Sequence, residues 1–500
     1  MATDSSKKKT RPPIVVVLGH VDHGKSTLLD SIRKANTVAG EAGGITQHVA
    51  AYEVVHPYEG EDRRITFIDT PGHAAFQAIR ARGASVADIA ILVVAADDGV
   101  KAQTLEALAA IRDAGIPFIV AINKVDKPNA DIARTQNSLS EQGVFLETLG
   151  GEVPWAAISA KVGTGVPELL NLILLVAEMH DFSADASVPA RGYIIEAHVD
   201  QKRGIAATLI VREGSIESGM AVVAGVALAP VRLMENFAGK SIGKATPSMP
   251  AVIVGFDSLP EAGAEFVAYT SKKEADLARS KNAEASRTVV KALHAEEGER
   301  YFLPVVIRAD ASGSLEAIAA EVAKLGDEFR GISIIQSGIG DISEGDIKTA
   351  IASSAPLVVG FNAKMDATAA TLARQHGVAF ESFSIIYELT ARLQELLKKH
   401  APKHTKERLV GSAKILKVFS SRKNEHLVGG KVRSGKMNVN ERISLVRGGE
   451  RMALGEIASM QSVRKEVQEV GEGGEFGAQV VLSEKPREGD TLECVAIDEI

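Results

Sequence analysis

The octapeptide Gly19-His20-Val21-Asp22-His23-Gly24-Lys25-Ser26 directly follows the apolar run Ile14-Val15-Val16-Val17-Leu18 and precedes a helical segment over 27–35. Such a run reads as a buried parallel strand, which needs helices on both of its faces. The loop has the spacing G-x-x-x-x-G-K-[ST], and in a strand-loop-helix setting that spacing makes a phosphate cradle. Its glycines let backbone N–H groups wrap phosphate oxygens, Lys25 reaches the β and γ oxygens, and Ser26 offers a hydroxyl to Mg²⁺. Asp22, His23, Gly24 and Thr27 complete the cradle. Asp22 is either a ligand that helps place a monovalent cation near the phosphates or an ordinary exposed carboxylate.

Hydrophobic periodicity divides the rest of the chain. Val/Ile-rich runs at 14–18, 65–68, 89–95 and 117–122 alternate with amphipathic segments, which predicts a doubly wound α/β domain over 13–187 behind a basic, disordered tail at 1–12. Over 188–271 the runs shorten, with turns at Arg203-Gly204, Glu213-Gly214 and Ser218-Gly219, and a small β-barrel is expected. A polar linker helix follows at 272–300. Three strand-then-helix repeats over 301–383 predict a three-layer α/β domain. The segment 384–404 reads as a connecting helix whose last turn, Lys398-Lys399-His400, puts cations at its negative dipole end. The remainder, 405–500, returns to short strands and a second β-barrel. Val211-Arg212-Glu213-Gly214-Ser215-Ile216 lines up with Val432-Arg433-Ser434-Gly435-Lys436-Met437. Either the two barrels share a topology, or the match is what any β-turn-β segment produces.

Charge and cysteine content narrow the function classes. A formal net charge of −7 excludes a uniformly basic nucleic-acid coat and leaves only local basic faces. The single cysteine, Cys494, excludes an intramolecular disulfide framework and a cysteine zinc cluster, and fits a reducing cytoplasm; it is expected to be a small buried residue. The N-terminus has no apolar core of a secretory signal, and stretches such as 89–96 are far short of the roughly 18 residues that span a bilayer. A soluble cytoplasmic protein with no membrane contact is expected.

Downstream motifs choose the nucleotide. The strand 119–122 ends in Asn123-Lys124-Val125-Asp126, where the Asp126 carboxylate can accept both the N1 and N2 hydrogens of guanine. Adenine presents the wrong donor pattern there, and an unpaired buried carboxylate is strongly penalised. The stem of Lys124 can lie against the base, Asn123 can brace the loop, and Ser159-Ala160-Lys161 offers a backbone N–H to guanine O6. Between these motifs stands Asp69-Thr70-Pro71-Gly72-His73. Asp69 is placed to hold Mg²⁺ through water, and Gly72 can turn its N–H toward a γ-phosphate. His73 is assigned the positioning of the attacking water, the alternative being contact with a partner. In Gly43-Gly44-Ile45-Thr46-Gln47-His48, Thr46 is the second Mg²⁺ ligand or a turn residue. Val21 and Ile45 form an apolar gate before His73 or simply pack. The chemistry is attack of water on GTP, giving GDP and phosphate, with largely electrostatic stabilisation. No arginine finger is identifiable from the sequence.

The ordered motifs GHVDHGKS, GGITQH, DTPGH, NKVD and SAK resemble those of a translational GTPase. The phrases EAGGITQH, FIDTPGHAAF, RARGA, VAADDGV and AINKVDKP, followed by GYIIEAHVD, ADASGSLEA, SGIGDISEGD, GFNAKMDA and SIIYEL, narrow the resemblance to bacterial translation initiation factor 2. It runs from about Arg11 to the C-terminus, in a short form without the long basic N-terminal extension of many members. The resemblance implies a monomeric, GTP-dependent factor that joins initiator tRNA to the small ribosomal subunit, promotes joining of the large one, works beside other initiation factors and contacts ribosomal RNA. His73 is then the residue the large subunit activates. The family's C-terminal barrel binds formylmethionyl tRNA, which implicates Gly430, Arg464, Lys465, Glu475, Phe476 and Gly477. Typical members carry cysteines where this chain has Gly430 and Phe476, so the common side chains for formylmethionine are absent; Gly473, Gly474, Glu475 and Gly477 can still shape a backbone-lined pocket. Ala75 also replaces a frequent acidic residue after the switch histidine. An elongation-factor-like tRNA carrier, a GTPase driving sulfate activation and a non-hydrolysing GTP-sensing scaffold are the competing readings. Relatives of the first two kinds normally continue as adjacent barrels, and His73 with Thr46 argues against the third.

Overall fold

The computed structural model describes residues 8–33, 50–72, 74–185, 187–200, 202–287, 301–353, 357–401, 405–439, 441–463 and 465–499. The chain forms two compact units, Met1–His400 and Ala401–Ile500. Among the described residues no helix is long and apolar enough to cross a membrane.

The first unit begins with strands β1 (Lys8–Thr10), β2 (Ile14–Gly19), β3 (Ala50–Tyr58), β4 (Glu61–Asp69), β5 (Ile89–Ala95), β6 (Phe118–Asn123), β7 (Trp155–Ala157) and β8 (Ser183–Asp185). Interleaved are helices α1 (Lys25–Arg33), α2 (Gln77–Val86), α3 (Ala102–Ala114), α4 (Ile132–Glu141) and α5 (Val166–His180). Six strands make one sheet in the order β3-β4-β2-β5-β6-β7, parallel except for the edge strand β3. All six residues of β2 are buried because its alternate side chains meet two cores. Val15 and Val17 join Leu28, Leu29, Leu169 and Ile173 of α1 and α5, whereas Ile14, Val16 and Leu18 join Ile79, Leu108 and Ile111 of α2 and α3. Parallel registers align Val17 with Asp69 and Ala95 with Asn123, so the loops after β2, β4, β5 and β6 emerge at one edge. That carboxyl edge is where an open α/β sheet binds ligands.

Residues 1–7 of the expected tail lie outside the described residues, whereas 8–12 are ordered. Lys8–Thr10 pairs antiparallel with β8, and Arg11 forms an ion pair with Asp88 that is shared with Arg212. Asp88 is nearly fully buried, and a buried carboxylate requires countercharges. The tail supplies one of them.

An antiparallel seven-stranded sheet follows, in the order Ala227–Pro230, Ala221–Ala224, Glu265–Tyr269, Arg191–Asp200, Gly204–Glu213, Pro250–Phe256, Leu233–Glu235, around its own apolar core. Helix α6 (Lys272–Arg287) occupies the described part of the expected linker; it is docked through Ala275 onto Ala221, Val223 and Leu228. The next domain has a parallel sheet, Arg330–Ile339, Tyr301–Ala309, Leu357–Phe361, Ala379–Phe383, with helices α7 (Ser312–Ala323), α8 (Glu344–Ile351) and α9 (Ala367–His376). Its fourth strand, Ala379–Phe383, is an exposed edge that the three expected repeats did not include. Helix α10 (Ile386–His400) is not a free connector over its length. It buries Ile386, Leu389, Leu393, Leu396 and Leu397 in the core shared with this domain's strands and α7, and its last turn carries the expected cations.

The second unit is a closed barrel. Thr405–Arg422, Thr491–Glu499, Arg442–Arg447, Glu450–Ser462, Glu475–Leu482 and Glu425–Asn438 pair in that order, and the last pairs back with the first. Cys494 is buried in its core, as expected, and its Sγ donates to Glu441 Oε2 at 2.9 Å. The sequence repeat has a structural counterpart. Gly214, just past the strand Gly204–Glu213, and Gly435, inside the strand Glu425–Asn438, take positive φ, 69° and 67°, and are backed against Ala190 and Gly411 respectively. A side chain at either would strike backbone, so both positions of the V-x-x-G match demand glycine.

Candidate active site

The loop after β2 makes one 3₁₀ turn, Val21–His23, before α1. Gly24 adopts φ 86°, and a Cβ there would sit 2.5 Å from Asn123 Nδ2, so both conformation and proximity demand glycine. Asn123 ties the site together. Its Nδ2 donates to His23 O at 2.8 Å and its Oδ1 accepts from Ala160 N at 2.9 Å, bridging the phosphate loop and the 159–161 loop. Ala160 N–H is thus spent on Asn123. Asp126 accepts the Ser159 hydroxyl at 2.6 Å, and this hydrogen bond holds its carboxyl below the usual carboxylate range. Lys124 has φ 65° and lies 3.9 Å from Asp97, which also accepts from Lys127 at 2.7 Å.

Lys25 is almost fully buried and donates to His20 O at 2.6 Å. Burial brings its ammonium down to about 8, opposed by the negative charge of Asp69. Gly72 packs directly on this side chain, a Cβ at Gly72 lying 2.2 Å from Lys25 Nζ. Ser26 stands in the first turn of α1 and Asp69 at the end of β4. Their hydroxyl and carboxylate are the hard oxygen donors that suit Mg²⁺. Asp22 and Thr27 are exposed, and Lys161 is exposed beyond the Ser159 turn.

His23 contributes only backbone. Its ring is wholly buried, near Val93 O and Asp98, and burial lowers its pKa to about 4, so it is neutral at physiological pH. His73, Thr46, Ile45 and Arg464 lie outside the described residues. Sequence reasoning did not find Gln103, which accepts the Val21 N–H at 3.0 Å, nor Arg80, a buried arginine that donates to Pro71 O at 3.3 Å and Glu106 at 2.8 Å. The only signal for Arg80 was a charged residue on an otherwise apolar helix face.

In the terminal barrel, Gly430 and Phe476 face each other across paired strands and point into the core. A Cβ at Gly430 would lie 2.9 Å from the Phe476 ring, so the large residue fills what the glycine vacates. The pair faces inward in this structure, so neither presents a side chain at the barrel surface. Lys465 and Glu475 are exposed, and Gly477 has open space where a Cβ would point.

The comparisons agree with this layout. Residues 10–179 match the family described as Elongation factor Tu GTP binding domain, 189–269 match Elongation factor G domain 2, and 275–394 match Translation-initiation factor 2. Translation initiation factor IF-2 of Carboxydothermus hydrogenoformans is 41% identical over 99% of this chain and 61% of its own length. That of Rubrobacter xylanophilus is 40% identical over 98% of this chain and 72% of its own length. The chain thus spans about three fifths of the first relative. The crystal structure of GDP-bound aIF5B from Aeropyrum pernix aligns at 26% identity with a TM-score of 0.49, over 97% of this chain and 92% of that one. With a 40% identical relative matched across nearly three quarters of its length, the chain belongs to the translation initiation factor IF-2 family.

Proposed function

We propose that the chain is a translation initiation factor. In the GTP state it places formylmethionyl initiator tRNA on the small ribosomal subunit and promotes joining of the large one, and the assembled ribosome stimulates its GTP hydrolysis. The observation that carries the reading is the Asn123 bridge, which fixes the phosphate loop and the guanine-reading loop as one rigid unit at the carboxyl edge of the sheet. Phosphate-loop N–H groups and Lys25 stabilise charge on the phosphates, Asp126 selects guanine, and His73 orients the attacking water. Ser26 and Asp69, with Thr46, would hold Mg²⁺, which when bound neutralises phosphate charge. The barrel reaches the aminoacyl end of tRNA through Lys465, Glu475 and the backbone of Gly477.

Phosphate release tests this. Protein with both subunits and formylated initiator tRNA should release phosphate far faster than protein alone, with unformylated tRNA less effective and His73→Ala unstimulated. Equal release with and without ribosomes would overturn the reading.

Lys25 adds a pH dependence. Its pKa of about 8 lies below the ordinary lysine value, so the ligand-free protein loses this charge as pH rises through 8. Phosphate oxygens favour the charged form and raise the pKa. Nucleotide affinity should therefore be flat below pH 8 and fall by about tenfold per pH unit above it, with proton uptake on binding. Calorimetry in buffers of different ionisation enthalpy measures both; no proton uptake at pH 8.5 would contradict it.

A further inference from the structure

We propose that helix α3 is a clasp on the hydrolytic centre: Gln103 and Glu106, three residues apart on one helical face, hold the phosphate loop and the 69–72 loop at a fixed separation. Gln103 Oε1 accepts the Val21 N–H at 3.0 Å. Glu106 Oε2 accepts from Arg80 at 2.8 Å, and the other end of that guanidinium donates to Pro71 O at 3.3 Å. Both loops are thus fastened to one turn of one helix. They also touch where the clasp spans them, since a Cβ at Gly72 would lie 3.2 Å from Val21 Cα.

The helix is a firm anchor. At its start Thr104 Oγ1 accepts the Lys101 N–H at 3.2 Å, and Ala107, Leu108 and Ile111 are buried against the sheet. Arg80 is the largest fully buried side chain among the described residues, so its position is set by packing as well as by charge. Its charge bears on Lys25, lowering that ammonium's pKa, and Glu106 supplies the compensating carboxylate. Gln103, Glu106 and Arg80 are positioning residues: each acts through the backbone of a loop that meets the phosphates. A displacement of about 1 Å between water-positioning and phosphate-binding groups costs up to a hundredfold in rate, so fixing these loops bears directly on hydrolysis.

The proposal rests on the GTPase reading of the site and is tested by intrinsic single-turnover hydrolysis of the full chain without ribosomes. Absent ribosome stimulation would then count against the initiation-factor reading alone. Gln103→Met, which keeps bulk but not the acceptor, should hydrolyse bound GTP about tenfold more slowly, with GDP affinity within about twofold of wild type. Gln103→Glu retains an acceptor and should return to within about twofold of wild type. Adding Glu106→Leu to Gln103→Met should cost little more than the worse single variant, because one open end already frees the loops. Wild-type hydrolysis by Gln103→Met overturns the clasp, as do equal losses in Gln103→Met and Gln103→Glu, or losses that simply multiply. A wild type without intrinsic turnover overturns the clasp together with the GTPase reading. Should Glu106→Leu fold poorly, the Gln103 pair decides alone.

Discussion

Asp126→Asn should lower GTP affinity by about a thousandfold or more and turn the site toward a xanthine nucleotide. The Ser159 hydroxyl donates to the carboxylate at 2.6 Å and holds its pKa below the usual carboxylate range. An ionised carboxylate accepts the two adjacent N–H groups on the guanine edge, a pattern no amide reproduces. Asparagine places a donor where guanine also has a donor, whereas xanthine presents a carbonyl oxygen there. The bracing around the position is independent of the charge: Asn123 still links His23 O to Ala160 N. The fold should therefore survive and only the ligand preference change. Competition binding with GTP and XTP measures the effect, and unchanged GTP affinity would remove the guanine assignment.

Asp88→Ala should destabilise the first unit by about 3–5 kcal/mol, the range for breaking a buried ion pair from one side. Asp88 accepts from both terminal nitrogens of Arg11, from Arg212 Nη1 at 2.7 Å and from Ile14 N at 2.8 Å. Its removal leaves the Arg11 guanidinium, among the described residues, with Pro12 O, Ser248 Oγ and the Phe182 ring, in a place where water reaches little of it. The same cluster holds the seven-stranded sheet to the nucleotide domain, because Ser248 O accepts the Thr66 hydroxyl at 2.6 Å and Ser248 Oγ donates to Pro12 O. Asp88→Asn, which retains acceptor and volume, should cost less. Urea denaturation followed together with protease sensitivity of residues 8–12 measures it. Unfolding of Asp88→Ala at the wild-type urea concentration would contradict the role assigned to these pairs.

How much was legible depended on how far apart in sequence the partners stand. Apolar runs of strands buried on both faces announced β2, β5 and β6. The edge strands did not announce themselves. Strand β3 is buried only at Ala51 and Tyr52 and carries Pro57 and His56, and Ala379–Phe383 is largely exposed. An edge strand buries too little apolar surface to leave a periodic signal. Residues 8–11 read as a basic tail because their order comes from β8 and Asp88, far along the chain. Likewise, Gly430 and Phe476 looked like two departures at a binding surface until the register showed them opposed and facing inward.

The sequence by itself determined the proposal for the nucleotide site, because short contiguous motifs carry it through backbone N–H groups and one or two adjacent side chains. A loop from Gly19 to Ser26 needs only the strand before it and the helix after it to make a cradle, and Asp126 needs only its place at the end of β6. Tertiary structure decided what holds those motifs in register. Asn123 joins two loops, Arg80 and Glu106 meet between two helices, Gln103 reaches Val21, and Asp88 gathers arginines from two other segments. Each is a contact between residues that are neighbours in space alone. A buried polar group is satisfied by whatever the fold brings to it, and no local pattern in the chain records which partner that is.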